Sequence, residues 1–180
     1  MKELQDDEII SKILGGDSRA FSVIVDRYKD TIYSIIVNMT ADSNMAEEIA
    51  QETFIRLYRF LDKYKGQSSL KTFVTRIAIN LSLNALKKRK IKRQRNIGIE
   101  DMVHDVAGPQ TNLDDQMLIQ RAMKLLDDEQ RSIVSMRMIE GYSTKETAII
   151  LGIKEGTVMS RLSRTMKKLK EILKELGYEK

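Results

Sequence analysis

Apolar residues in this chain recur at three- and four-residue intervals, the period of an amphipathic helix. Ile9, Ile13 and Leu14 open a short helical stretch that Gly15-Gly16 should stop. Asp17 is then placed to cap a longer helix carrying Phe21, Ile24, Val25, Tyr28, Ile32, Ile35 and Ile36. A second strong pattern begins near Asp42-Ser43, with Ala46, Ile49, Ala50, Thr53, Phe54 and Leu57 on one side and polar residues on the other. After a loop from Tyr64 to Ser68, Ser69 can cap a third helix whose inner stripe is Leu70, Phe73, Val74, Ile77, Ala78, Leu81 and Ala85. Three long amphipathic helices can share one core.

The period then lapses. Residues 95–116 hold Gly98, Gly108, the single proline Pro109 and several acids, and read as a flexible acidic linker. Beyond it, Leu118, Ala122, Leu125 and Leu126 form one stripe, and Ile133, Val134, Met136 and Arg137 continue into another. Gly141-Tyr142-Ser143 breaks the chain. Ser143-Thr144-Lys145-Glu146 is a capping box starting a helix with Ala148, Ile149 and Leu151, and Gly152 ends it. Ile153 bridges to a last pattern in which Val158, Leu162, Thr165, Met166, Leu169, Ile172, Leu173 and Leu176 point inward. The expected fold is all-α: two small helical domains, residues 1–94 and 117–180, joined by a flexible linker, the C-terminal one a helix-turn-helix.

Composition narrows the function classes. The chain has no cysteine and one histidine, His104, in the acidic linker, so neither a disulfide framework nor a structural zinc site can be assembled. No metal site, cofactor or catalytic residue is expected. No apolar run approaches the ~20 residues that span a bilayer, and the N-terminus is acidic where a signal peptide is basic, so no membrane insertion and a cytoplasmic location are expected.

Charge is unevenly spread. Residues 1–61 carry 7 basic and 11 acidic side chains, residues 62–98 carry 11 and 1, residues 99–129 carry 2 and 8, and residues 130–180 carry 11 and 6. Two basic segments flanking an acidic one suit two contacts with a polyanion, although a charge run is also what a solvated face looks like. The run Lys87 to Arg95 would add salt-sensitive attraction to a nucleic-acid backbone; as a membrane-facing tract it lacks any apolar anchor.

Two helices joined by a short glycine turn, the second longer and basic, form the pattern of a helix-turn-helix, which also fits a generic helical hairpin. The second helix of such a unit needs short polar side chains near its N-terminus for close approach to base edges, and positive residues further along for phosphate. Lys154, Gly156, Thr157, Met159, Ser160, Ser163, Arg164 and Lys167 supply both. On the third helix of the first half, Arg76, Asn80, Asn84 and Lys87 are spaced by four, four and three, so they share one edge with Lys88 beside them. Asparagine can read base edges and the cations can hold phosphate; solvent-facing asparagines in a basic helix are the plain alternative.

The stretches Ala122 to Arg131, Gly141 to Ala148, Leu151 to Ile153 and Gly156 to Leu162 resemble the promoter-binding C-terminal domain of RNA polymerase sigma factors. Ala46 to Phe54 is similar to the polymerase-binding helix of that family, and Arg76 to Asn80 to its helix for the downstream promoter element. The short length and the lack of a middle domain resemble the extracytoplasmic-function (ECF) group. The resemblance implies a non-enzymatic factor that binds core RNA polymerase, directs it to promoters and assists their opening. It implies that Glu47, Glu48, Gln51, Glu52 and Arg56 dock on the polymerase clamp, a polar face that otherwise reads as solvated. It also implies that a flipped base of the non-template strand sits under the loop Tyr64, Lys65, Gly66, where Tyr64 can stack or pack into the core. An anti-sigma partner follows from the same likeness.

The chain departs from the family pattern at Phe73, where tryptophan is usual, Ile79 (arginine), Asn84 (aspartate), Asp127 or Asp128 (proline) and Lys154 (a capping serine). Exact downstream specificity is therefore not carried over. A polymerase-independent helix-turn-helix regulator would explain the second half but not the first. A DNA-processing enzyme would need a carboxylate cluster, and Glu47-Glu48 and Asp114-Asp115 sit on a polar face and in the linker.

Overall fold

The computed structural model describes residues 4–95 and 115–178. These form helices α1 (Asp6–Leu14), α2 (Phe21–Thr40), α3 (Ser43–Arg59), α4 (Leu70–Arg95), α5 (Asp115–Lys124), α6 (Asp128–Val134), α7 (Thr144–Leu151) and α8 (Glu155–Glu175), with no strand among the described residues. The edges of the expected linker are helical, since Arg95 ends α4 and Asp115 begins α5; its interior, with His104, lies outside the described residues.

Local chemistry sets the helix ends. Asp42 caps α3 by accepting from the Met45 N–H at 3.0 Å, and Ser69 caps α4 by accepting from the Thr72 N–H at 3.1 Å. Asp17 departs from expectation: its side chain makes no capping bond, and a 3-10 turn, Ser18–Ala20, leads into α2 instead. Ala41 ends α2 in the left-handed conformation, with φ of 51° and its N–H on the Val37 carbonyl. Asp127, one of the two positions matched to the resembling motif's proline, forms a full capping box with Gln130 at the start of α6.

In the first domain α2, α3 and α4 enclose Ile24, Ile32, Ile36, Leu57, Val74 and Ala78, and α1 lies across them with Ile9, Ile10 and Ile13. Asp6 pins α1 in place, accepting from the Tyr28 hydroxyl and from Arg27. Burial and the neighbouring Asp6 both push the Tyr28 phenol pKa up. The second domain has its own core of Ala122, Met123, Leu126, Val134, Leu169 and Ile172. Between them α6 continues into a π-helical turn, Ser135–Ile139, and the Ser143–Glu146 capping box starts α7. Hydrogen bonds from the Ser143 hydroxyl and backbone hold the Glu146 carboxyl pKa low, with Lys71 and Thr72 of α4 acting in the same direction.

The two domains are packed against each other. Ile35 and Met39 of α2 and Ile79 of α4 form a third buried cluster with Met136, Tyr142 and Ile150. The α2 stripe expected to face one core is thus divided between two. In α7 Thr147 and Ile150, both outside the expected inward set, are fully buried, Ala148 is buried as expected, and Ile149 and Leu151 are half-buried. Polar bonds cross the same seam: Thr75 and Tyr142 hydroxyls meet at 2.7 Å, Ser34 donates to Glu140 at 2.9 Å, and Lys71 lies over the Tyr142 ring. Arg131, 8% exposed, donates to the carbonyls of Met123, Lys124 and Leu126 in its own domain and, through Nη1, to the Met39 carbonyl at the end of α2. A guanidinium has five donors, so one side chain can close the α5–α6 turn and bridge the domains together. Burial lowers its pKa, with Asp128 only partly opposing that.

Candidate nucleic-acid interface

Helix α4 is sided. Its apolar stripe enters the first core, Thr75 and Ile79 enter the seam, and Arg76, Asn80, Asn84, Lys87 and Lys88 remain exposed. Their shared edge therefore carries two amides and three cations, uncovered among the described residues. Ile79, where the resembling motif has arginine, contributes its side chain to the contact between domains.

The loop before α4 is braced from within. The Tyr64 ring leans on Phe73 with centroids 5.3 Å apart, and its hydroxyl donates to the Ser68 carbonyl at 2.6 Å. Burial, with Asp7 and Asp6 nearby, raises the Tyr64 pKa. Tyr64 is thus a half-buried wall, while Lys65, Gly66 and Gln67 stand exposed, Gly66 at a φ of 66° that favours glycine. Sequence reasoning missed Phe60, 42% exposed beside this loop with the Lys63 ammonium 4.9 Å from its ring centroid. Its signal was an aromatic residue just past the apolar period of α3.

In the second domain α7 and α8 meet through Gly152, whose φ of 65° permits the turn. Lys154, Met159, Ser160, Ser163, Arg164 and Lys167 are exposed on α8, and Thr157 is half-buried. Lys154 provides no side-chain cap, as its substitution for serine implied. Arg164 stays close to its own helix, its Nε on the Ser160 carbonyl at 3.3 Å. Arg161, not singled out from sequence, is tied to Glu129 of α6 at 2.5 Å, an exposed ion pair between α6 and α8.

On α3, Glu47, Glu48, Gln51 and Arg56 are exposed, and the half-buried Glu52 accepts from Arg56 at 2.6 Å one turn on. The same face runs into Ile55 and Tyr58, each nearly half exposed, beside a cleft of about 270 Å³ lined by Phe21, Phe54, Ile55, Tyr58 and Arg59. That apolar end was hidden in the sequence because Ile55 and Tyr58 fall among polar positions. Among the described residues no three histidine, cysteine, aspartate or glutamate side chains converge as metal ligands, and no helix is long and apolar enough to cross a membrane.

Comparison with known proteins identifies the family. Residues 24–91, spanning α3 and nearly all of α2 and α4, match the family model for sigma-70 region 2, and residues 116–169 match that for sigma-70, region 4. The ECF RNA polymerase sigma factor SigW of Bacillus subtilis is 31% identical over 179 residues, covering 93% of this chain and 96% of that protein. The chain belongs to the ECF RNA polymerase sigma factors. The RNA polymerase sigma-H factor of Pseudomonas aeruginosa is 28% identical, covering 96% of this chain and 95% of its own. Two solved structures share the fold of this sigma factor. One is the sigma factor RpoE with the anti-sigma factor NepR from Bartonella quintana, at TM-score 0.72 and 23% identity over 86% of this chain and 96% of that one. The other is CnrH with the cytosolic domain of CnrY, at TM-score 0.70 and 19% identity over 93% and 96%. The region 2 match removes the polymerase-independent regulator, which left the first half of the chain without a role.

Proposed function

We propose that this sigma factor holds core RNA polymerase through the exposed face of α3 and reads promoter DNA through two separate faces, the α4 edge for the downstream element and the N-terminal half of α8 for the upstream one. The two readers belong to modules 1–94 and 117–180. The observation that carries the reading is the α4 edge: Arg76, Asn80 and Asn84 stay exposed and aligned although both flanking faces of the helix are buried. Asparagine amides there can pair with base edges while Arg76, Lys87 and Lys88 hold phosphate.

Opening of the duplex then needs binding alone. A surface that prefers an unstacked, single-stranded base shifts the duplex toward the open state by the difference in affinity, without a nucleophile or a metal. The braced Tyr64 loop supplies a rigid rim with Lys65 and Gly66 facing outward, and the exposed Phe60 ring beside it offers a stacking surface. The protein works in the cytoplasm, where polymerase and promoter meet. Because the RpoE neighbour was solved with the anti-sigma factor NepR, a partner of that kind is proposed for this chain too, bound over the α3 face.

Run-off transcription with reconstituted core polymerase tests the assignment. Asn80→Ala should reduce permanganate reactivity of the downstream element about tenfold while polymerase association is retained. Full reactivity in that variant would remove α4 from the opening step, and failure of the wild-type chain to direct initiation would remove the proposal as a whole.

A further inference from the structure

The reading face of α8 carries one residue that does not fit a polar, cationic surface. Met159 is 63% exposed, the largest exposure among the exposed large apolar side chains of the described residues. It stands in the first turn and a half of the helix, where recognition helices come closest to base edges. Gly156, one turn earlier, has no atom within 4 Å of where a Cβ would stand, so the backbone beside Met159 is bare. Ser160 and Ser163 flank it with short hydroxyls, and the exposed cations Arg164 and Lys167 follow further along the helix.

Each base pair shows a distinct pattern in the major groove, and only thymine presents an unmodified apolar group there, its 5-methyl. A long, unbranched thioether can adapt to that methyl without having to satisfy a hydrogen bond. Single exposed apolar side chains are ordinary on a protein surface, and what sets Met159 apart is its place among the hydroxyls and cations of the α8 face. We propose that Met159 reads the 5-methyl group of a thymine in the upstream promoter element, which makes it a specificity-determining residue of the α8 face. The inference rests on the assignment of α8 as the upstream reader and adds the chemical group that is read.

The test uses the full chain with core polymerase. Selection from DNA randomised in the upstream region defines the element, and each of its thymines is then replaced singly by uracil, which removes the methyl and nothing else. For the wild type, one replacement should weaken binding about fourfold, the equivalent of one buried methyl-sized group. For Met159→Ala, which alters an exposed side chain, the same replacement should change binding less than twofold. Indifference of the wild type to every uracil, or a sensitivity that Met159→Ala retains, overturns the inference while leaving α8 as the reader. If Met159→Ala instead loses polymerase association, Met159 contacts protein rather than DNA, which also overturns it. Absence of any enriched upstream element takes away the α8 assignment along with it.

Discussion

The two buried sides of α4 differ in kind. Toward α2 and α3 the helix presents Leu70, Val74 and Ala78, a continuous apolar surface of the sort that stabilises a small domain. Toward the second domain it presents Thr75, Ile79 and the half-buried Leu83, with Lys71 and Thr72 at the N-terminal end, so the contact mixes a few large apolar groups with hydroxyls. Apolar burial stabilises in proportion to area, whereas a buried hydroxyl pair contributes about 1 kcal/mol net and costs more when one partner is lost. The first side can therefore be built to hold and the second to be selective about geometry.

The contrast is sharpest under truncation of the inner side. Leu57→Ala, at a fully buried position, should destabilise the first domain by about 2–5 kcal/mol in urea unfolding. Hydrogen exchange should show the amides of α2 and α3 losing protection together, and a loss confined to α7 would contradict the division.

Alkaline pH addresses the second side. Burial raises the Tyr142 pKa from 10.0 to about 12, so the folded chain keeps the phenol protonated after the unfolded chain has begun to release its proton. The stability linked to this group is complete below about pH 10 and falls as pH rises toward 12, by about 2–3 kcal/mol. Tyr28 acts in the same direction inside the first domain. Tyr142→Phe should flatten the alkaline loss at α7 and the seam, whereas Tyr28→Phe should flatten it at α1; equal pH profiles for wild type and both variants would count against either role.

Two isosteric changes should then act with opposite sign. Thr75→Val removes the partner of the Tyr142 hydroxyl in a buried setting and should cost about 1–3 kcal/mol. Thr147→Val replaces a fully buried hydroxyl that has no hydrogen-bond partner among the described residues, and should stabilise by up to about 1 kcal/mol. Thermal melts of the two variants side by side decide it, and a shift of the same sign in both would refute the distinction.

The division explains what was legible in the amino-acid sequence. The inner stripe of α4 and the core-facing set of α8 were readable because large apolar residues recur at the helical period. So were the caps at Asp42, Ser69 and Ser143, whose chemistry is local. The spacing of Arg76, Asn80 and Asn84 was enough to place them on one edge. The seam was not readable: Thr72 and Thr75 look like residues of a solvated face, and their partners Glu146 and Tyr142 lie more than sixty residues away. Ile150 was missed for the same reason, since its partners lie on α2 and α4. The fixed ring of Tyr64 depends on Phe73 across the loop, which no single helical period encodes.

Hydroxyls, a carboxylate and a guanidinium make the junction of the halves wettable. Should the halves part, Thr75, Ser34, Glu140 and the free end of Arg131 would each find water in place of the bond they gave up, and the hydrocarbon newly bared would be limited to a handful of side chains such as Met39, Ile79 and Ile150. Parting there would bare less hydrocarbon than parting the first core, whose buried side chains are more numerous.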